Sequence, residues 1–363
     1  MSLLMEMNDK AMALGIPLSV HIDVTYRCNE RCVHCYLDHD DKGEMTTAEI
    51  KGILDQLAEA GVFFLTFSGG EVFMRRDFLE LVEYARRLTF NVKIKTNGVM
   101  IHEAEAKRLR ELGVEQVQLS VYSHRPEVHD AITKLPGSLK RTIDSIRFLK
   151  SQGLKVTMSN VLMTVNRQDQ AGTHALAKKL GVSYSLDPTV TPKLDGDESI
   201  LRLRVRGHNL HEIFNDPELV GDVEEFCAAP PPDDDVMEGY SCSAGHTACY
   251  INPYGEVFPC VQFPLPTGNL RRQKFKDIWY RSPQMNEVRS IRVKDLTVCS
   301  SCSHAGTCTR CPGLAYMEGS MRGPSSSDCE KSFHRTGIPS ANMLRKANAG
   351  AHTPLVQILP VTV

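Results

Sequence analysis

The chain has no apolar run near the roughly 18 residues that a membrane-spanning helix needs. Its first twenty residues, MSLLMEMNDKAMALGIPLSV, hold Glu6 and Asp9 and lack both a basic start and a long apolar stretch. Neither a bilayer span nor a secretory signal is therefore expected. Charge of one sign is also missing. Lys and Arg number 42 against 44 Asp and Glu, a formal net charge of −2, which argues against nucleic acid or a membrane surface recruited by bulk charge. There is no internal repeat beyond strand–helix alternation, and residues 36–226 contain no cysteine. Yet the 363 residues include 12 cysteines. That is far below the roughly 8–10% of a disulfide scaffold. It is high for a chain expected in the cytoplasm, where clustered thiols read as metal ligands before disulfides.

With 42% hydrophobic and 24% charged residues the chain can bury a large core. The cysteine-poor part alternates strand and helix patterns. LSVHIDVT (18–25), VFFLTF (62–67), NVKIKT (91–96), EQVQLSV (115–121), KVTMSNV (155–161) and VSYSLD (182–187) read as strands. Ile50, Ile53, Leu54 and Leu57 recur at helical spacing, as do Phe78, Leu81, Val82 and Ala85, and Leu139, Ile143, Ile146 and Leu149. Gly61, Gly113, Gly153 and Gly181 stand where helices should end. Six strand–helix units in series imply an α/β fold with a parallel sheet, fewer strands than the eight of a closed barrel, and hence a partial (β/α)6 barrel. Catalytic groups are expected at the C-terminal strand ends.

The expected organisation is an N-terminal extension (1–17), the partial barrel (18–190), a bridging segment and linker (191–235), a cysteine-rich domain (236–330) and a tail (331–363). AAPPPDDD (228–235) reads as a stiff, solvated linker. Arg202, Arg204 and Arg206 alternate with apolar residues like an edge strand. The tail is expected to run over the surface, with LVQILPVTV (355–363) a possible further edge strand. PEVHD (126–130) reads as a capped loop, so His129 and Asp130 are not promoted to an acid–base pair.

RCNERCVHCY (27–36) follows the first expected strand and spaces Cys28, Cys32 and Cys35 as C-x3-C-x2-C. Three thiolates on one loop suit three irons of a [4Fe–4S] cluster and leave the fourth open; half a zinc site and three core cysteines are the alternatives. With Tyr36 behind it, this motif at the head of a six-fold βα chain resembles the radical S-adenosylmethionine (SAM) enzymes. The resemblance covers about residues 18–190. It implies a [4Fe–4S] cluster that binds SAM and reductive cleavage to a 5′-deoxyadenosyl radical, which abstracts hydrogen from substrate. It further implies a flavodoxin- or ferredoxin-type electron donor. Ser68, Gly69, Gly70 and Glu71 match the family's GGE motif, in which the glutamate meets the SAM amino group. Thr96 and Asn97 match its TNG, Ser120 its ribose-contacting serine, and Asn160 stands near the end of the fifth strand. His34, between two of the cysteines, is read as shielding the cluster.

The other nine cysteines run from Cys227 to Cys329. Two C-x2-C pairs alone would suggest a zinc ribbon. Cys242-x12-Gly255-x4-Cys260, followed by Cys299, Cys302, Cys308, Cys311 and Cys329, resembles the SPASM extension of radical SAM enzymes. YINPYGEV, between Cys249 and Cys260, reads as a hairpin. The resemblance implies two auxiliary [4Fe–4S] clusters, one on Cys242, Cys249, Cys260 and Cys311, the other on Cys299, Cys302, Cys308 and Cys329. The departure is Cys308-x2-Cys311, one residue short of the family spacing, and Cys227 is left over.

Radical SAM enzymes with this extension are best known for modifying ribosomally made peptides, and LSVYSHRPEVHDAITKLPGS (119–138) looks like the matching stretch of peptide-crosslinking members. Val261 stands where sulfatase-maturing members carry an aspartate base. No recognition domain of about 80 residues is seen ahead of the first strand, so a peptide would need direct docking or a separate recognition protein. A tetrapyrrole or other small-molecule substrate, as in haem synthesis, and a non-enzymatic zinc or iron–sulfur protein are the alternatives.

Overall fold

The computed structural model describes residues 3–39 and 42–348. Nine strands form one sheet: β1 (Ser19–Asp23), β2 (Phe64–Ser68), β3 (Asn91–Thr96), β4 (Gln116–Ser120), β5 (Lys155–Val161), β6 (Ser183–Asp187), β7 (Ala248–Ile251), β8 (Glu256–Phe258) and β9 (Gly268–Asn269). Their order is β6-β5-β4-β3-β2-β1-β7-β8-β9. The first six are parallel neighbours in chain order. Each expected strand is present to within two residues at either end.

Alternation along these strands sorts the two faces. Val20, Ile22, Leu65, Phe67, Val92, Ile94, Val117, Leu119, Val156 and Met158 are all buried and pack with Ile50, Leu54, Leu57, Leu81, Val82, Ile146 and Leu149 of the covering helices. Each contributes roughly 1.5–3 kcal/mol by leaving water. The opposite face carries His21, Asp23, Thr66, Ser68, Lys93, Lys95, Gln116, Gln118, Thr157, Ser159, Ser183 and Ser185. A parallel sheet is ordinarily apolar on both faces. Here the inner face is polar and lines a cavity.

The helix Thr47–Glu59 opens on a Thr46–Glu49 capping box, and Gly61, Gly113, Gly153 and Gly181 all take positive φ. The helix Glu103–Glu111, which has only Ala106 and Leu109 buried, lacked a readable stripe.

The cysteine-rich part does not form a separate sheet. β7 pairs in parallel with β1, Val20 opposite Cys249 and His21 opposite Tyr250. The expected hairpin is β7–β8. Helix Phe275–Arg281 packs on helix Thr47–Glu59, where the Gln56 side chain accepts from the Phe275 amide at 2.8 Å. Arg271 donates to Glu49 at 2.8 Å and, with the Thr46 amide, holds that carboxyl down to about 2. The buried Trp279 donates to Gly15 O at 2.7 Å, behind an N-terminal helix, Leu3–Leu14.

Three expectations change. PEVHD belongs to a helix, Pro126–Thr133, with Pro126 in its first turn. The arginine alternation is a 3-10 helix, Ser199–Leu203, and a single bridge from Arg204 to Met163. Arg204 is spent on Val190 O at 2.8 Å. The expected tail begins inside the helix Ser326–Thr336 and continues as Ala341–Asn348; residues 355–363 lie outside the described residues. Among the described residues no helix is long and apolar enough to cross a membrane.

Candidate active site

The loop after β1 carries Cys28, Cys32 and Cys35, and its backbone is tied down at both ends. Arg31 N donates to Thr133 O at 3.0 Å and Val33 N to Ile132 O at 2.9 Å. Gly70 N donates to Thr25 O at 2.8 Å and Glu71 N to Arg27 O at 2.9 Å. These last two bonds explain the paired glycines. A Cβ on Gly69 would lie 2.2 Å from Thr25 O, and one on Gly70 2.4 Å from Arg27 O. Gly69 also has φ +138°, a region essentially closed to other residues.

The three cysteines, Tyr36, Ser68, Gly69, Gly70, Thr96, Asn97 and Ser120 line one cavity of about 370 Å³. Asn97 Nδ2 lies 3.8 Å from Cys28 Sγ and donates to Asn29 Oδ1 at 2.6 Å. Burial pushes the Cys28 thiol up to about 12, and raises Cys32 and Cys35 as well. Glu30 and the neighbouring thiols add to the rise at Cys32. Such a group stays ionised only against a compensating positive centre. One buried Glu30 oxygen has no partner. The donor set therefore fits an iron–sulfur cluster held by three cysteines.

Glu71 does not line the cavity. Its wholly buried carboxylate accepts from Thr96 Oγ1 at 2.7 and 2.8 Å, Asn97 N at 2.8 Å and Phe73 N at 3.1 Å. Burial still raises its pKa. It clamps the end of β3, and backbone of Ser68–Gly70 faces the cavity in its place. Asn160 also turns away: being even-numbered on β5 it lies on the outer face, where it donates to Tyr184 OH at 3.0 Å and accepts from Asn166 Nδ2 at 3.1 Å. Its neighbours Ser159 and Val161 line the cavity instead. His34 stands edge-on to Tyr122 at 4.7 Å, and burial lowers it to about 4. His129 stacks on Tyr122 and accepts from its amide at 3.1 Å, while Asp130 caps the next helix through Gly137 N and Leu139 N.

A second cavity, of about 280 Å³, is lined by Cys299, Cys302, Cys308 and Cys329 together. Ser332 Oγ donates to Cys308 Sγ at 3.3 Å and Ala341 N to Cys302 Sγ at 3.4 Å, the kind of contact that tunes cluster sulfurs. Cys311 faces away from this cavity. Leu314 N donates to its sulfur at 3.5 Å, and it lies near Cys260, which in turn lies near Cys242. Cys249 too lies near Cys260. On β7 it shares the outer face with Val20 and sits in the apolar layer with Ile22, Ile251 and Val257. Cys227, ending a short helix, donates weakly to Phe214 O at 3.6 Å.

Residues 22–177 match the Radical SAM superfamily and residues 242–312 a SPASM iron–sulfur cluster-binding domain. The mycofactocin maturase MftC of Mycobacterium tuberculosis is 30% identical over 309 residues, 81% of this chain and 78% of that one. The chain is a radical SAM enzyme. The AdoMet-dependent heme synthase of Methanosarcina barkeri is 27% identical over 83% of this chain and 92% of its own length. The fold is shared with Streptococcus suis SuiB bound to its precursor peptide SuiA, with TM-score 0.72 at 19% identity, covering 90% of this chain and 79% of SuiB.

Membership in the radical SAM family implies iron–sulfur clusters and SAM as cofactors. Bound, they would supply the one-electron cleavage that yields a 5′-deoxyadenosyl radical. The chain's share would be to enclose them and hold their partners. The residues that sequence reasoning missed are Lys95, Gln118, Ser159, Ser185 and Asp187, all on the cavity wall. A signal for them existed. They share the strand face of Ser68 and Ser120 at a period of two.

Proposed function

We propose that this radical SAM enzyme modifies a ribosomally made peptide, forming a crosslink or another oxidative change. The observation that carries this reading is the polar wall beyond the cysteine loop. Lys95, Gln118, Ser120, Ser159, Ser185 and Asp187, from four strands, offer donors and acceptors along one side of the cavity. Gln118 donates to Ser159 within this wall at 2.9 Å, and a peptide brings amide and carbonyl groups to meet the remaining donors and acceptors. Similarity to the mycofactocin maturase MftC, to the antilisterial bacteriocin subtilosin biosynthesis protein AlbA of Bacillus subtilis, and to SuiB, solved with its precursor peptide bound, supports the reading. The heme synthase's near full-length likeness favours a second reading, the same chemistry on a tetrapyrrole.

In our reading Cys28, Cys32 and Cys35 hold the SAM-binding cluster. Tyr36, the Ser68–Gly70 backbone, Thr96, Asn97 and Ser120 enclose SAM. Cys299, Cys302, Cys308 and Cys329 hold one auxiliary cluster; Cys242, Cys260 and Cys311 hold the other. Cys249 is set aside as core. Iron analysis after anaerobic reconstitution checks this, because Cys249→Ala should keep the full count, about twelve irons, and Cys242→Ala should lose part of it. A flavodoxin- or ferredoxin-type donor supplies electrons, and a separate recognition protein or direct docking delivers the peptide. The substrate is tested by looking for a short peptide gene beside this one and incubating the reconstituted enzyme with the peptide it encodes. Mass spectrometry should find the peptide lighter by lost hydrogen. An unchanged peptide together with turnover of a tetrapyrrole would establish the second reading.

A further inference from the structure

Thr309 and Arg310 make up the whole of the short link between Cys308 and Cys311. Cys308 faces the four-cysteine cavity and Cys311 turns toward Cys260, so the link crosses the wall between two cysteine sets. Arg310 lines both the 280 Å³ cavity and a small recess beside Cys242. Its side chain is buried. Its Nε donates to Gly323 O at 2.9 Å, and Nη2 to Met321 O at 2.5 Å and Gly323 O at 2.6 Å. Among the described residues these carbonyls are its partners, so a whole positive charge stands in the wall without a carboxylate to offset it. The other buried charge here is Asp328, on the same cavity. Its Oδ2 accepts from Cys311 N at 2.8 Å, and its Oδ1 pairs with Lys331 Nζ at 2.7 Å. Asp328 thus offsets Lys331 and Arg310 has no such counter-charge, so without the Asp328 carboxylate Lys331 would stand unopposed beside the same cavity.

We propose that these two buried charges set the reduction potential of the auxiliary clusters, Arg310 raising it and Asp328 lowering it. The proposal rests on the cluster assignments made above. A thiolate-ligated cluster gains negative charge on reduction, so a fixed cation in a low-dielectric wall favours the reduced form and a fixed anion opposes it. Arg310 also explains how a link one residue short is accommodated. Its three bonds to the 321–323 backbone anchor the strip that points the two cysteines apart.

The test is an EPR-monitored redox titration of the reconstituted full chain carrying Cys28→Ala, Cys32→Ala and Cys35→Ala, so that auxiliary signals stand alone. About eight irons in that parent protein are the precondition. Fewer would overturn the cluster assignments and the proposal that rests on them. Arg310→Met should move an auxiliary midpoint to more negative potential, Arg310→Lys should move it less, and Asp328→Asn should move it positive. Arg310→Met or Asp328→Asn holding full iron with an unmoved midpoint would overturn the proposal. Should Arg310→Met fail to take up iron, Asp328→Asn decides alone, since the amide still accepts from Cys311 N. A positive shift there supports the charge balance, and a null or negative one refutes it.

Discussion

At Gly69 a single missing carbon lets the loop after β2 lie against the cysteine loop, with Thr25 O only 2.2 Å from where a Cβ would be. Gly69→Ala should cost about 2 kcal/mol or more through clash and strain, and should lower SAM binding measured by equilibrium dialysis. Wild-type affinity in that variant would mean the loop can shift without cost. Glu71 shows the limit of reading one residue from a motif. Its neighbours Gly69 and Gly70 face the cavity, whereas its own carboxylate is used up by Thr96, Asn97 and Phe73. Nothing in the letters G-G-E reveals that Thr96 and Asn97, at the end of β3, are partners, because that pairing is set by sheet register. Cys249 shares the outer face with Val20 in the apolar layer, a placement that spacing alone does not reveal.

Among elements, the strands and the amphipathic helices were legible because burial on one face writes a period into the sequence. Helices Glu103–Glu111 and Pro126–Thr133 escaped because few of their positions are buried. The connection from β4 to helix Gln170–Leu180 is held by Asp169, which accepts from Ser123 Oγ at 2.5 Å and Arg125 Nε at 2.9 Å. Burial by itself would raise the Asp169 carboxyl, but these two donors win and hold it below the ordinary 3.8. A carboxyl depressed on folding stabilises above its unfolded pKa, and that stabilisation fades as pH falls through the depressed value. Asp169→Asn should therefore cost about 1–2 kcal/mol at pH 7. In thermal melts its gap from wild type should narrow as pH drops below about 4. A gap independent of pH would show that the charge does not contribute.

For the whole molecule, one sheet runs from the barrel into the cysteine-rich part through β1 and β7, and Trp279 and Arg271 tie the two further. The solvated stretch 228–235 is therefore a surface connection between parts already joined by hydrogen bonds. Residue order hid this, since Val20 and Cys249 are distant in sequence and meet only once the sheet forms. The grouping of the thiols was legible in part, because short spacing is local: Cys28, Cys32 and Cys35 line one cavity and Cys299, Cys302, Cys308 and Cys329 another.

The central claim is that Cys28, Cys32 and Cys35 form the centre at which SAM is cleaved. It is tested most directly by incubating the reconstituted enzyme with SAM and dithionite under anaerobic conditions and measuring 5′-deoxyadenosine by mass spectrometry. The wild-type chain should produce it, and Cys28→Ala should produce none while keeping its auxiliary irons. Undiminished 5′-deoxyadenosine from Cys28→Ala would contradict the account.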